Sequence, residues 1–298
     1  MNPFVYKYQT VESDGRYTWR LKQFKSQAEL FAFLVNEKEE ILHQRKSIIK
    51  RACGGLTGFI STDTIEVTEN KSIKPIYENN LDSGILKRTI IANTYWYMDS
   101  HSDVHIGREE ASKDAIFSES IKERAHKIFP TNEHDNSLDG RIGKTERIYE
   151  APVSWRSLGL GKTGMTEALI ADAAILQRKN AARFDDYMND EIDQHSVAMQ
   201  YIDQQIAIND EKKYPKEYEV YQKYIPKIGN RQVVEAQGYF FAVPKAKLIE
   251  YSCVTAGSND LTPTVLPSGD TGKSQPSGDA KSLKASELIK FYQPKNHI

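Results

Sequence analysis

Three residues far apart in the chain have side chains that together could perform acyl transfer: His134, Ser196 and Glu250. A serine hydroxyl attacks a carbonyl only when a base within about 2.6–3.2 Å takes its proton, and that base needs a third group to orient it. Histidine suits the middle role because its unperturbed pKa of about 6.5 lets it accept and return a proton near neutrality. A carboxylate on the far ring nitrogen fixes the tautomer and stabilises the imidazolium. Such triads are recognised in space and not by spacing, so the elements that carry these residues decide whether they can meet.

Ser196 lies in Asp193-Gln-His-Ser-Val-Ala-Met-Gln-Tyr-Ile202. From Val197 on, Val197, Met199 and Tyr201 alternate with Ala198, Gln200 and Ile202, the period of a strand. The serine therefore sits at a strand mouth, where it could equally be a turn residue. His134 ends the run Lys127-Ile-Phe-Pro-Thr-Asn-Glu-His-Asp135, which reads as a strand closing in polar residues. Glu250 falls inside Lys247-Leu-Ile-Glu-Tyr-Ser-Cys-Val-Thr255, one of two final strands with Tyr239–Val243. Asp135 is a rival for the orienting acid, although a residue adjacent to His134 in a strand points to the other face. By the same alternation His195 points away from Ser196 and reads as structural.

Upstream, Phe4 to Lys25 reads as a hairpin turning at Ser13-Asp14-Gly15. Ser26, three residues before Glu29, forms a capping box that opens one helix running to about Ala52, stopped by Gly54-Gly55. Thr57 to Asn80 suggests short strands and loops, and the turn-rich Asn79 to Gly84 marks a first boundary. Ile85 to Tyr97 is strongly β-prone, and a helix is expected from near Ser112. A further strand covers Ile142–Tyr149. Thr166 to Lys179 reads as a strand with helix as the alternative, Asn180–Asp190 as a helix. Two more helices are expected over Tyr214–Ile228 and from Asn230 to Gln237, the latter stopped at Gly238. Leu261 to Lys281 is rich in Pro, Gly, Ser, Thr and Asp and reads as a disordered linker before a short helix over Ser282–Tyr292. Many short strands among a few helices indicate α+β.

Composition narrows the function. The 298 residues include 39% apolar and 27% charged, with net charge -1 and interspersed signs, so no basic field points to nucleic acid. Cys53 and Cys253 are the two cysteines, which offers neither a disulfide framework nor a thiolate zinc spacing. No apolar run approaches the ~18 residues that cross a bilayer, and Met1 to Tyr8 lacks a signal peptide's apolar segment; a soluble, intracellular protein with no membrane partner is expected. Arg156-Ser-Leu-Gly-Leu-Gly-Lys-Thr-Gly164 is not a phosphate loop, since Arg156 stands where the first glycine is needed. A metal hydrolase using His101, His105, His134 and Asp135 is an alternative, with His101, Asp103 and His105 sharing one strand face; solvated loop histidines account for the same spacing.

The order of motifs resembles the prohead proteases of tailed phages, capsid-maturation serine proteases related in fold to herpesvirus assemblin. It is carried by Asn93-Thr-Tyr-Trp-Tyr-Met-Asp99 leading to Asp114-Ala-Ile-Phe117, Glu133-His-Asp135 leading to Arg141-Ile-Gly-Lys144, Gln194-His-Ser-Val-Ala-Met-Gln-Tyr201, and Leu248-Ile-Glu-Tyr-Ser-Cys-Val-Thr-Ala-Gly-Ser-Asn259. The segments Ala207–Arg231 and Gly238–Val243 also resemble the form found in phages of Bacteroidetes hosts. The resemblance covers roughly Ile85 to Asn259 and implies Ser196 as nucleophile, His134 as general base and Glu250 as orienting acid, with no cofactor and no metal. It implies a mainly antiparallel closed β-barrel flanked by helices over residues 85–260, with an N-terminal extension (1–84) and a C-terminal tail (261–298). It further implies that scaffold and major capsid protein extensions are substrates along with the chain itself, that the chain self-associates as a dimer, and that it works inside assembling proheads in the host cytoplasm. One position departs: Ala198 stands where the family commonly has glycine, two residues after the serine, which keeps open a catalytically inactive scaffold or head protein on the same fold.

Overall fold

The computed structural model describes residues 4–11, 17–51 and 75–266. The chain begins with an antiparallel hairpin, β1 (Phe4–Val11) and β2 (Tyr17–Phe24), in which Phe4 pairs with Phe24 and Val11 with Tyr17. Ser26 then caps α1 (Gln27–Asn36), accepting the Glu29 N–H at 3.2 Å, while the Glu29 carboxylate accepts the Lys25 N–H at 2.9 Å.

The single helix expected from Ser26 to about Ala52 is not formed. Glu37 (φ -99, ψ 15) separates α1 from α2 (Lys38–Ser47), and Ile48 (φ -110, ψ 142) turns the chain into β3 (Ile49–Arg51). The physical reason lies in α2, which buries Ile41 alone. So weak an apolar face cannot hold a helix together by packing, and the β-branched Ile48-Ile49 pair favours extended backbone.

Next come β4 (Tyr77–Asn80) and β5 (Ile85–Thr94), a hairpin whose turn is the Asn79 to Gly84 stretch, with Gly84 at φ +62. A short β6 (Asp103–His105) follows. The helix α3 (Ser118–Arg124) starts later than the expected Ser112. The chain continues through β7 (Pro130–Asn132), β8 (Gly143–Ser154), β9 (Met165–Leu176), α4 (Ala181–Met188), β10 (His195–Ile208), α5 (Pro215–Tyr224), α6 (Arg231–Gln237) and β11 (Tyr239–Cys253). The alanine-rich stretch in β9 is a strand, buried along nearly its whole length. The two strands expected over Tyr239–Thr255 are one: Pro244 sits where the ladder with β10 slips register, so its missing N–H interrupts no regular pairing.

The described strands form three sheets in a mixed α+β fold. Beside the β1-β2 hairpin stand a four-stranded antiparallel sheet, β4-β5-β9-β8, and a five-stranded one, β3-β10-β11-β6, with β7 also on β11. The second is antiparallel except where β6 and β7 run parallel to β11. Apolar side chains from both large sheets, among them Ile91, Ile170, Val197 and Leu248, form the main core. A smaller core packs Tyr6, Leu30, Phe31 and Leu34 onto Ile206, Ile208, Tyr239 and Phe241, docking the amino-terminal elements on the far ends of β10 and β11.

Residues 261–266, expected to begin the linker, are seated on β5. Pro263 O accepts the Ile91 N–H at 3.0 Å, Thr89 O accepts the Val265 N–H at 2.9 Å, and Leu261 and Val265 are buried. Apolar side chains spaced through this stretch override its turn-rich composition. The expected hairpin turn at Ser13–Gly15, the helix stop at Gly54-Gly55, Cys53, the short strands from Thr57, and the tail from 267 with its helix lie outside the described residues.

Candidate active site

His134 does not end a strand. β7 stops at Asn132, and Glu133 (φ 49) and His134 (φ 59) then adopt the left-handed conformation in succession. This costs on the order of 1–2 kcal/mol per non-glycine residue and persists only where the surroundings impose it. Here they do: the Glu133 N–H donates to Cys253 O at 3.0 Å, the Asp135 N–H to Asn132 O at 2.9 Å, and the His134 N–H to Ser252 Oγ at 2.9 Å. The turn folds the imidazole inward to 2% exposure and leaves Asp135 exposed, its Oδ1 accepting the Ser137 N–H at 2.8 Å. Asp135 thus braces the turn. The turn, and not strand alternation, separates it from its neighbour.

The acid comes from β11. Glu250 Oε1 lies 2.6 Å from His134 Nδ1, and Glu250 Oε2 accepts hydroxyl hydrogens from Thr131 Oγ1 at 2.5 Å and Ser252 Oγ at 2.7 Å. The two hydroxyls also touch each other. Parallel pairing of β7 with β11 sets Thr131 beside Ser252, so both hydroxyls converge on one carboxylate oxygen. A carboxylate acceptor places the hydrogen of the neutral imidazole on Nδ1 and leaves Nε2 as the basic nitrogen.

Ser196 is brought to the same face. In the antiparallel ladder Ser196 pairs with Ser252 and Ala198 with Glu250, and side chains two apart along a strand share a face. Ser196 is 5% exposed, and its Oγ takes part in none of the side-chain hydrogen bonds that hold His134, Glu250, Thr131 and Ser252. The base–acid contact is therefore formed on the face to which Ser196 belongs. His195 lies on the other face: Tyr187 Oη is 2.9 Å from its Nε2 and Thr262 O is 2.8 Å from its Nδ1, and burial lowers its pKa to about 4. It is a neutral structural histidine.

The second polar cluster lies across the sheet; the sequence placed Asp103 and His105 on one strand face but did not bring Asp99, Lys50 or Arg45 to them. Asp99, Asp103 and His105 present ligand atoms within 4.8 Å of one another. Lys50 Nζ lies 3.2 Å from Asp99 Oδ2 and also pairs with Asp103, Arg45 pairs with Asp103, and Tyr201 Oη donates to Asp103 Oδ2 at 2.5 Å. Asp99 Oδ1 accepts the N–H groups of His101 and Asp103 at 2.8 and 2.9 Å. Burial lowers the Lys50 pKa to about 8 against the opposing pull of Asp99. Burial likewise lowers His101 to about 4 and His105 to about 3. Two carboxylates thus face two cations, which balances their charge without a metal. The grouping of His101 and His105 with His134 and Asp135 is not what the fold assembles, since His134 goes to Glu250. Lys50 was hidden because the strand carrying it reads as the end of a helix.

No helix among the described residues is long and apolar enough to cross a membrane. No family model matches the chain, and neither a curated protein nor a solved structure matches it.

Proposed function

We propose that the chain is a serine endopeptidase of the tailed-phage prohead type, cleaving scaffold and capsid-protein extensions, and itself, during head assembly. The observation that carries this is the His134–Glu250 hydrogen bond of 2.6 Å, made on the sheet face that also bears Ser196. In the mechanism, Ser196 Oγ attacks the peptide carbonyl as His134 Nε2 takes its proton. The same proton passes to the leaving amine as the C–N bond breaks, and water then repeats the sequence on the acyl-enzyme. Glu250 keeps Nδ1–H oriented and balances the imidazolium. The closed barrel and the dimer belong to the same proposal; closure requires the four- and five-stranded sheets to join into one ring.

The test is trimming of capsid protein by the purified chain, followed by mass spectrometry. Loss of trimming in Ser196→Ala is expected, and trimming that survives this substitution refutes the assignment. A second function, a catalytically silent head protein on the same fold, is favoured by Ala198, which is fully buried two residues after Ser196. Fluorophosphonate labelling confined to Ser196 counts against it.

A further inference from the structure

The edge of β10 just beyond Ser196 is occupied by a piece of the chain itself. β3 pairs antiparallel with β10, Arg51 opposite Ala198, Lys50 opposite Met199 and Ile49 opposite Gln200. Its central side chain, Lys50, is 5% exposed and reaches between the Asp99 and Asp103 carboxylates. The receiving groups are fixed by their own contacts: Asp99 by two backbone N–H groups and Ser258 Oγ at 3.1 Å, Asp103 by Tyr201 Oη. His105, 2% exposed, lies beside them with its Nε2 unpartnered, a polar atom that the internal lysine leaves unused. The cavity beside Lys50 is lined by Asp99, His105, Val197 and Met199 and reaches the backbone of β10 at Ser196, whose side chain belongs to the opposite face.

The structure assigns to Asp99 and Asp103 the role of a specificity pocket for a lysine or arginine side chain of an extended peptide bound along the β10 edge that β3 fills. This rests on the serine endopeptidase proposal for what happens to the bound peptide, but not for the binding itself. Edge-strand addition is a recurring mode of peptide recognition, in which backbone pairing gives affinity and alternate side chains enter pockets that give specificity. Lys50 is such an alternate side chain, in a buried acidic socket that an uncharged side chain would leave uncompensated. The register sets a distance along the peptide as well. Lys50 faces Met199, three residues along β10 from Ser196, so in an antiparallel peptide the bond at Ser196 lies about three residues to the carboxyl side of the basic residue. While β3 is in place it competes for the same edge, which makes it a built-in inhibitor of peptide entry.

The test uses the full chain carrying Ser196→Ala and two fluorescent peptides of about ten residues, identical except for lysine or norleucine at one central position. Binding is followed by anisotropy. The lysine peptide is expected to bind about tenfold tighter or more, and Lys50→Met, which withdraws the internal competitor, is expected to tighten it further. Equal binding of the two peptides to the Ser196→Ala chain, checked for native circular dichroism, overturns the inference. Asp103→Asn, checked for native circular dichroism, is expected to erase the preference; a folded variant that keeps it overturns the assignment of the pocket. Cleavage by the unsubstituted chain separates the two proposals. Selective lysine-peptide binding without Ser196-dependent cleavage keeps the pocket and removes the endopeptidase, whereas cleavage indifferent to lysine does the reverse.

Discussion

Glu250 Oε1 lies 2.6 Å from His134 Nδ1 across 116 positions of sequence, and both side chains are about 2% exposed. A buried carboxylate at this distance fixes which ring nitrogen bears hydrogen, and an amide of the same shape does not. On the proposed endopeptidase reading, Glu250→Gln is therefore expected to fold normally yet lower the turnover number about 10³–10⁴-fold, the loss that follows when a catalytic histidine takes the wrong tautomer. Single-turnover hydrolysis of a capsid-derived peptide measures it. A variant within a few-fold of the parent would show that Glu250 is not the orienting acid.

Ser252 serves both members of that pair. Its Oγ accepts the His134 N–H at 2.9 Å and donates to Glu250 Oε2 at 2.7 Å, in a residue with no exposed surface. Ser252→Ala leaves a buried N–H without its acceptor in a left-handed residue and takes one donor from the carboxylate. A stability loss of about 1–3 kcal/mol is expected from the unsatisfied groups, read from urea midpoints. kcat/KM is expected to fall about 10- to 100-fold, the range of catalytic loss for groups that hold a reacting residue from behind. Lost stability with unchanged turnover would restrict Ser252 to a structural role.

The candidate residues could be named from the sequence, and most of the geometry around them could not. Ser196, His134 and Glu250 were named because their types suit acyl transfer and their motifs follow a known order, and strand alternation put His195 on the opposite face. The same alternation gave no account of the turn at Glu133-His134, because left-handed backbone in two non-glycine residues is imposed by Cys253 and Ser252, about 120 positions away. Lys50 was lost for a related reason. Local charge and the Ser26 cap favoured a continuous helix, whereas pairing with β10 and the carboxylates of Asp99 and Asp103 select a strand. Residues 261–266 repeat the lesson, since the contacts that order them lie on β5.

Docking of the amino-terminal helices can be tested at a single glycine. Gly238 ends α6 at φ +81, and a Cβ there would stand 2.9 Å from Phe31 Cζ and closer still to Gln27 Nε2. Gln27 Nε2 itself donates to Gln237 O at 3.0 Å, so it is not free to retreat without losing that bond. Gly238→Ala combines left-handed strain with a steric clash against α1. It is expected to cost about 2 kcal/mol or more, with the loss visible as faster hydrogen exchange in α1. Unchanged exchange in α1 would mean that the α1–α6 contact contributes little.

Acid stability is set by buried neutral histidines. Burial lowers His195 and His101 to about 4 and His105 to about 3, whereas in the unfolded chain each titrates near the model value of 6.5. Below pH 6.5 the unfolded chain therefore binds up to three protons that the folded chain refuses, and stability falls as pH drops. The loss levels off only below the folded values, and at most it is about 3 kcal/mol each for His101 and His195 and about 5 kcal/mol for His105. Asp99 works in the same direction at still lower pH. Although burial opposes it, the charge of Lys50 and its contacts with His101 hold its carboxyl well below the usual range. Urea midpoints between pH 7 and pH 4.5 are expected to decline with a slope of about two to three protons. His195→Gln, which cannot titrate, is expected to remove about one of them. A midpoint that stays constant across this interval would show that these histidines are charged in the fold, or not buried.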